Sequence, residues 1–192
     1  FWLPGTAAVL EAAPGALPAE VDLRTRLEAW GLGSRRQGDR NTCSAFVVTG
    51  AIEYALASVE ERGTRLSVEY LNWASNAVLG DKEDGGFFSE LWKGFERYGI
   101  CPEAVMPYRE KFEPGQGPSK HALARGAAIR RRARLTFRWI KEWDPKKGLT
   151  DAQLLEVKRA LARGVPVCAG CLWPKVQTWS GEILDWVPKE AT

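Results

Sequence analysis

The 192-residue sequence has few cysteines, a single histidine and almost no net charge. Four cysteines are too few and too unevenly spaced for the disulfide framework of a small secreted domain, so we expect reduced thiols. The 27 basic and 24 acidic side chains leave a net charge of +3, too small to indicate nucleic acid or an anionic membrane as a partner. No uninterrupted run of about 18 apolar residues occurs, so no membrane span is predicted.

What is present indicates a folded protein. Hydrophobic residues make up 45% of the chain, enough to bury the core of one domain or of two small lobes. The first residues are rich in Ala, Pro and Gly and lack the basic start of a signal peptide. The cellular location stays open, since the cysteine usage favours the cytoplasm but leaves secretion possible.

Hydrophobic periodicity divides the chain into a helical first part and a β-rich second part. We predict an irregular arm over residues 1–18, a helical lobe over 19–108 and a β-rich lobe over 109–192 that is incomplete at its end. The fold class is therefore α+β. The predicted elements are an extended piece over 22–30, helices that begin at Cys43, near Ser67 and near Phe88, a basic helix over 120–132, an amphipathic helix over 151–163, and strands over 135–140, 165–172, 176–179 and 182–187.

Cys43 stands where the first long helical pattern begins. The N–H groups and the positive dipole end at a helix start favour a thiolate, which is the nucleophilic form of cysteine. Six residues upstream, Gln37-Gly38 places a side-chain amide on a glycine-containing loop, and such a donor can stabilise a tetrahedral oxyanion. A cysteine at a helix start is more often structural, but the pair Gln37 and Cys43 favours acyl transfer.

The residues around this pair resemble the start of a mature papain-like cysteine peptidase. Residues 21–24 (VDLR) followed by 36–46 (RQGDRNTCSAF) resemble the family's V-D-x-R strand and its Q-G-x-x-x-x-C-x-A-F motif. Further matches follow in chain order at 66–71 (LSVEYL), 85–88 (GGFF), 98–100 (YGI), 107–108 (PY), 165–167 (VPV) and 180–183 (SGEI). This ordered set implies a papain-like two-lobe fold, with a helical lobe and an antiparallel β-rich lobe in one peptidase domain.

The resemblance implies roles for five residues. Cys43 would be the nucleophile and Gln37 the oxyanion donor. Gly85 and Gly86 would border the substrate, with Gly86 as a backbone partner for an extended peptide, and Phe88 would form a wall of the pocket for the residue before the scissile one. The implied activity is that of a cysteine endopeptidase acting on peptides or proteins, with no cofactor and no metal.

Two positions depart from the family's pattern. Arg40 stands where the family has a cysteine that forms a disulfide, which indicates a bacterial-type or intracellular member. Ser44 replaces the tryptophan that follows the nucleophile in the family.

The catalytic histidine of the family has no counterpart in the printed sequence. It would follow the cysteine by about 130–150 residues, which reaches the end of the chain. The single histidine, His121, lies in the predicted basic helix and is expected to be a surface residue. Three explanations stay open: part of a longer enzyme with the histidine beyond Thr192, a cleaved enzyme whose separate C-terminal fragment supplies it, or an inactive papain-like protein that binds peptides or a partner.

Two further features have alternative interpretations. Cys168 and Cys171 have the C-x-x-C spacing of redox and zinc sites, but no second pair completes a metal site, so a structural role is favoured over a thiol redox function. The arginine-rich stretch 130–134 is interpreted as a solvated helix face rather than a nucleic-acid interface, because no aromatic interleaving accompanies it.

Overall fold

The computed structural model of this protein describes residues 17–144 and 146–171, together with the backbone of two short strands. In these residues six helices and one strand pair follow one another along the chain. The helices are α1 (Arg24–Ala29), α2 (Cys43–Glu60), α3 (Val68–Leu79), α4 (Phe88–Tyr98), α5 (Lys120–Ala133) and α6 (Asp151–Ala162), and the strands are β1 (Trp179–Ser180) and β2 (Ile183–Leu184).

Helix α2 is the central element of the core. More than half of its residues are buried, and its apolar side chains pack with those of α3, α4 and α5 in one continuous cluster. By length and composition α2, with 18 residues, could cross a membrane, although its apolar residues do not form an uninterrupted run. However, 56% of this helix is buried inside the protein, as in the core helix of a globular domain. The position of the helix that begins at Cys43 is therefore fixed by its contacts with α3, α4 and α5.

Local capping signals fix the ends of α3. The Ser67 hydroxyl accepts a hydrogen bond from the Tyr70 N–H at 2.9 Å, which satisfies one of the free donors of the first turn. At the other end Gly80 adopts a φ of +75°, and its N–H donates to the Asn76 carbonyl. The predicted start near Ser67 is confirmed.

Helices α3 and α4 pack closely because α4 carries a glycine at their contact. A Cβ on Gly94 would lie 2.6 Å from the Ser75 backbone nitrogen and 2.7 Å from the Ala74 carbonyl carbon. Helix α4 begins at Phe88, as the sequence predicts, and is followed by Gly99, with a φ of +76°. The α3–α4 pair fixes the loop between the two helices, which contains Gly85 and Gly86.

A buried carboxylate joins α2 to the segment before α3. Glu53 is 2% exposed and accepts a hydrogen bond from the Leu66 N–H at 2.7 Å. Burial raises the pKa of the Glu53 carboxyl, while the Leu66 N–H and the guanidinium groups of Arg35 and Arg65 oppose that rise. This cluster shows how the core tolerates a charged group by pairing it.

The predicted extended piece over residues 22–30 is wrong, because residues 24–29 form helix α1. The Asp22 carboxylate accepts a hydrogen bond from the Arg24 N–H at 2.8 Å and thereby takes up one donor of the first turn. Gly31, with a φ of +68°, follows the end of the helix.

The predicted strands over 135–140 and 165–172 are not formed in the described residues, which reach Cys171 in the second segment. Leu135 and Phe137 pack against the helical core, and Phe137 stacks on Trp92 with ring centroids 5.6 Å apart. Alternate residues of this segment therefore face the core, as in a strand, but the described residues form no strand here. A period of two arises wherever an extended chain lies on an apolar surface.

The β-rich lobe is not shown by the described residues. Strand β1 pairs antiparallel with β2, Trp179 opposite Leu184 and Ser180 opposite Ile183, within the region where strands are predicted. The remainder of the predicted strands 176–179 and 182–187 lies outside the described residues. Helix α6 matches its predicted range to within one residue and begins with a Thr150–Gln153 capping box.

Candidate active site

Cys43 is the first residue of α2 and its side chain is exposed. The residue before it, Thr42, is fully buried, and its hydroxyl lies 2.6 Å from the Tyr108 hydroxyl in a hydrogen bond. Burial raises the pKa of the Tyr108 phenol, so this hydroxyl stays protonated. The Cys43 thiol is thus exposed to solvent, while the residue before it, Thr42, is held in place by its burial and by its hydrogen bond with Tyr108.

Gln37 begins the loop over residues 37–42, which we call the nucleophile loop after the role that the sequence predicts for Cys43. Gly38 adopts a φ of +71° in this loop, a left-handed conformation that glycine allows at little cost. The turn brings the Gln37 side-chain nitrogen to the Arg40 carbonyl oxygen, at 2.5 Å. The second N–H of the same amide has no acceptor among the described residues, and an amide nitrogen carries two donors.

We call Gly85 and Gly86 the glycine edge, and Gly85 lies against the nucleophile loop. Gly85 is buried with a φ of +106°, and a Cβ there would overlap the Asn41 carbonyl oxygen and lie 3.8 Å from the Ser44 hydroxyl. Its N–H donates to the Asn72 side-chain oxygen at 2.9 Å. The fold therefore brings Gly85 beside Asn41 and Ser44, on the two sides of Cys43, although 44 and 41 sequence positions separate them.

A cavity of about 290 Å³ lies along the glycine edge. Its wall includes the exposed ring of Phe87, whereas Phe88 is half-buried and packs against the helical core. Acidic side chains form much of the remaining wall. The residues that line the cavity besides the glycine edge are Leu79, Asp81, Glu83, Asp84, Phe87 and Glu90.

Arg40 has a structural role that the sequence pattern did not reveal. Its guanidinium is buried and forms ion pairs with Glu69 at 2.5 Å and with Asp84 at 2.8 Å. Its planar face lies 4.6 Å from the centroid of the Tyr108 ring. Burial is the largest influence and would lower the pKa of Arg40, but hydrogen bonds with Asp84 and Glu69 outweigh it and raise the pKa.

The remaining cysteines do not form a second reactive site in the described part of the chain. Cys101 is fully buried, and burial raises its pKa to about 12. Burial also raises the pKa of Cys168 to about 11, and its sulfur lies 3.7 Å from the Val47 carbonyl oxygen on α2. Cys168 and Cys171 are free thiols, and the described residues hold no group of three potential metal ligands.

His121 lies exposed in the first turn of α5, and α5 packs against α4. Among the arginines of the basic cluster, Arg132 pairs with Glu60 at 3.2 Å, and Arg130 donates to the carbonyl oxygens of Glu96 and Arg97. Part of this cluster therefore ties α5 to its neighbours. The described contacts give neither His121 nor the cluster a link to the residues around Cys43.

Comparison with known proteins gives structural similarity only. No protein-family model matches the chain, and no curated protein matches it significantly. Xylellain, a cysteine protease from Xylella fastidiosa, is 19% identical over 64% of this chain and 48% of its own, with a TM-score of 0.47. Digestive procathepsin L 3 of the Tenebrio molitor larval midgut is 28% identical over 59% of this chain and 35% of its own, with a TM-score of 0.44.

The chain thus spans less than half of each of these proteins. These neighbours are papain-like cysteine proteases, the class that the sequence motifs resemble.

Proposed function

We propose that this chain carries the nucleophile side of a cysteine peptidase active site, with Cys43 as the nucleophile. The observation that supports the proposal most is the meeting of three features at one place: an exposed thiol at the start of a buried helix, an amide donor on the preceding loop, and a glycine edge pressed against that loop. Acyl transfer from a peptide needs these three parts.

In the proposed reaction the Cys43 thiolate attacks a peptide carbonyl carbon, and the carbonyl oxygen becomes an oxyanion. The second N–H of Gln37 and the backbone N–H of Cys43 would donate to that oxyanion, since the first N–H of Gln37 is held by Arg40. The exposed backbone of Gly86 would pair with the extended substrate. When the oxyanion collapses, the C–N bond breaks, and the leaving amine takes its proton from a histidine, which the sequence resemblance implies beyond Thr192 or on a separate fragment. Water then hydrolyses the Cys43 thioester, which releases the acid and restores the thiol.

Phe88 is proposed to border the pocket for the residue before the scissile bond. The cavity beside the glycine edge adds Phe87, which is 60% exposed, as an apolar surface in the same region. Peptides and proteins are therefore the proposed substrate class.

A second candidate function is a peptide-binding protein without catalysis. It is supported by the position of His121, the one histidine of the sequence, which is exposed on α5 and has no described contact with the Cys43 region. A binding protein of this kind would retain the glycine edge and the cavity beside it.

Alkylation by iodoacetamide tests the role of Cys43, and Cys171 serves as an internal control because both thiols are exposed. A helix start favours the thiolate, so we expect Cys43 to react at neutral pH about tenfold faster than Cys171 or more. Equal rates, measured by mass spectrometry of the digested full-length protein, would contradict the nucleophile assignment.

Hydrolysis of a fluorogenic peptide by the full-length protein separates the two functions. The peptidase proposal expects hydrolysis that Cys43→Ala abolishes and that Gln37→Ala lowers in kcat by roughly a hundredfold, the usual loss for one oxyanion donor. Saturable peptide binding without any hydrolysis would instead support the binding protein.

A further inference from the structure

Arg40 joins the nucleophile loop to the glycine edge through a complete set of donors. A guanidinium has five N–H groups, and each has an acceptor here. Nε donates to Asp84 at 3.2 Å, Nη1 donates to Glu69 at 2.5 Å and to the Arg109 carbonyl at 2.8 Å, and Nη2 donates to Asp84 at 2.8 Å and to Glu69 at 3.5 Å. The Arg40 side chain is 4% exposed, so water competes little for these bonds.

The backbone of the same residue holds Gln37. The Arg40 carbonyl oxygen accepts the hydrogen bond from the Gln37 amide, which fixes the plane of that amide. The position of Gln37 is therefore linked, through one residue, to the acidic groups that bind the Arg40 guanidinium.

Asp84 carries the link onward to the glycine edge, since it directly precedes Gly85. Asp84 also accepts a hydrogen bond from the Asn72 side-chain nitrogen at 3.4 Å, and the Asn72 oxygen accepts the N–H of Gly85 at 2.9 Å. The glycine edge is thus held by Arg40 on one side and by helix α3 on the other.

Building on the proposed function, we propose that Arg40 is a positioning residue that keeps the oxyanion donor Gln37 and the glycine edge in a fixed relation. Lysine could supply the charge, but it is a point charge with three donors, whereas the arginine fork can bind two carboxylates and a carbonyl at once. The link from Arg40 to Asp84 and Glu69 is ionic, so, unlike a disulfide, it cannot be broken by reducing agents.

The test compares Arg40→Lys with the matched variant Arg35→Lys in the full-length protein. The Arg35 side chain is 19% exposed, donates to the Leu66 carbonyl at 3.1 Å and pairs with Glu53 at 3.2 Å, but none of its described contacts reaches Asp84 or the glycine edge. In both variants a buried carboxylate loses its guanidinium partner, so both should lose stability for that reason. The difference between the two variants then reports the link to the glycine edge.

Two readouts are used below the melting range of both variants. Amide hydrogen exchange in the segment 84–87 should accelerate at least tenfold in Arg40→Lys and stay within about threefold of wild type in Arg35→Lys. In peptide hydrolysis, kcat of Arg40→Lys should fall at least tenfold, with a smaller change in KM, because the contact of Gln37 with the oxyanion is made in the transition state.

Equal exchange in the two variants would overturn the proposal, and so would faster exchange with an unchanged kcat in an active enzyme. If the wild-type protein hydrolyses no peptide, the proposed peptidase function fails, and the exchange comparison alone then decides whether Arg40 holds the glycine edge. Should Arg40→Lys not fold, Asp84→Asn, which keeps the acceptor oxygen and removes the charge, must show the same acceleration of exchange for the proposal to stand.

Discussion

Replacing Gly85 by alanine perturbs the contact between the glycine edge and the nucleophile loop directly. Gly85 has a φ of +106°, which an alanine rarely adopts, and its new Cβ would overlap the Asn41 carbonyl oxygen and lie 3.2 Å from the Asn41 carbonyl carbon. Both neighbours are backbone atoms, so no side chain can rotate away. The nucleophile loop, which leads into Cys43, has to move.

The expected loss of stability has two parts. A left-handed conformation costs a non-glycine residue about 1–2 kcal/mol, and inserting a methyl group into a packed contact costs about 1–3 kcal/mol. Their sum, about 3 kcal/mol, corresponds to a fall in Tm of roughly 6–12 °C for a chain of this length. The moved loop should also reduce peptide hydrolysis and the alkylation rate of Cys43.

Gly80→Ala is the control, because Gly80 has a φ of +75° but no atom within 4 Å of the position that the new methyl group would take. It should cost only the conformational part, about 1 kcal/mol, and leave the alkylation rate of Cys43 unchanged. Thermal unfolding and iodoacetamide kinetics of both variants provide the measurement. Equal losses of stability for Gly85→Ala and Gly80→Ala would refute the close contact between the glycine edge and residue Asn41.

Two further predictions concern thiol chemistry and helix packing. Burial raises the pKa of Cys168 to about 11, so at pH 8 this thiol should be alkylated far more slowly than the exposed Cys171. Because only the thiolate reacts, the alkylation rate of Cys168 should rise about tenfold per pH unit up to about pH 11. Equal rates for the two cysteines at pH 8 would count against the burial of Cys168. Gly94→Ala should destabilise the protein by about 2 kcal/mol through the contact with Ser75, whereas Gly50→Ala, inside α2 with nothing within 4 Å, should stabilise it by roughly 0.5–1 kcal/mol. Urea unfolding measures both changes, and a similar effect of the two alanines would argue against the close α3–α4 packing.

Elements with strong local signals were predictable from the sequence. Helix α3 has a capping serine at its start and a glycine at its end, and both act through atoms only a few positions away. The same is true of the capping box of α6. Such interactions depend on chain order alone, so the helix bounds follow from the residue types.

The predicted strands over 135–140 and 165–172, which the described residues do not show, had no such local signal. Alternation shows that one side of an extended segment is apolar, but a strand also requires a partner backbone, which chain order does not specify. Here the alternate apolar residues Leu135 and Phe137 pack against helices. The short helix α1 was missed because its six residues carry little periodicity.

The sequence by itself determined the nucleophile loop: Gln37, the glycine turn and Cys43 at a helix start all lie within seven positions, and local geometry relates them. Only the tertiary structure decided what surrounds that loop. The Arg40 ion pairs join residues 29 and 44 positions apart, and Gly85 meets Asn41 across 44 positions. Contacts between residues so far apart in the chain depend on how α2, α3 and α4 pack. The packing of these helices, and not the spacing of residues in the chain, determines which buried charged groups form ion pairs.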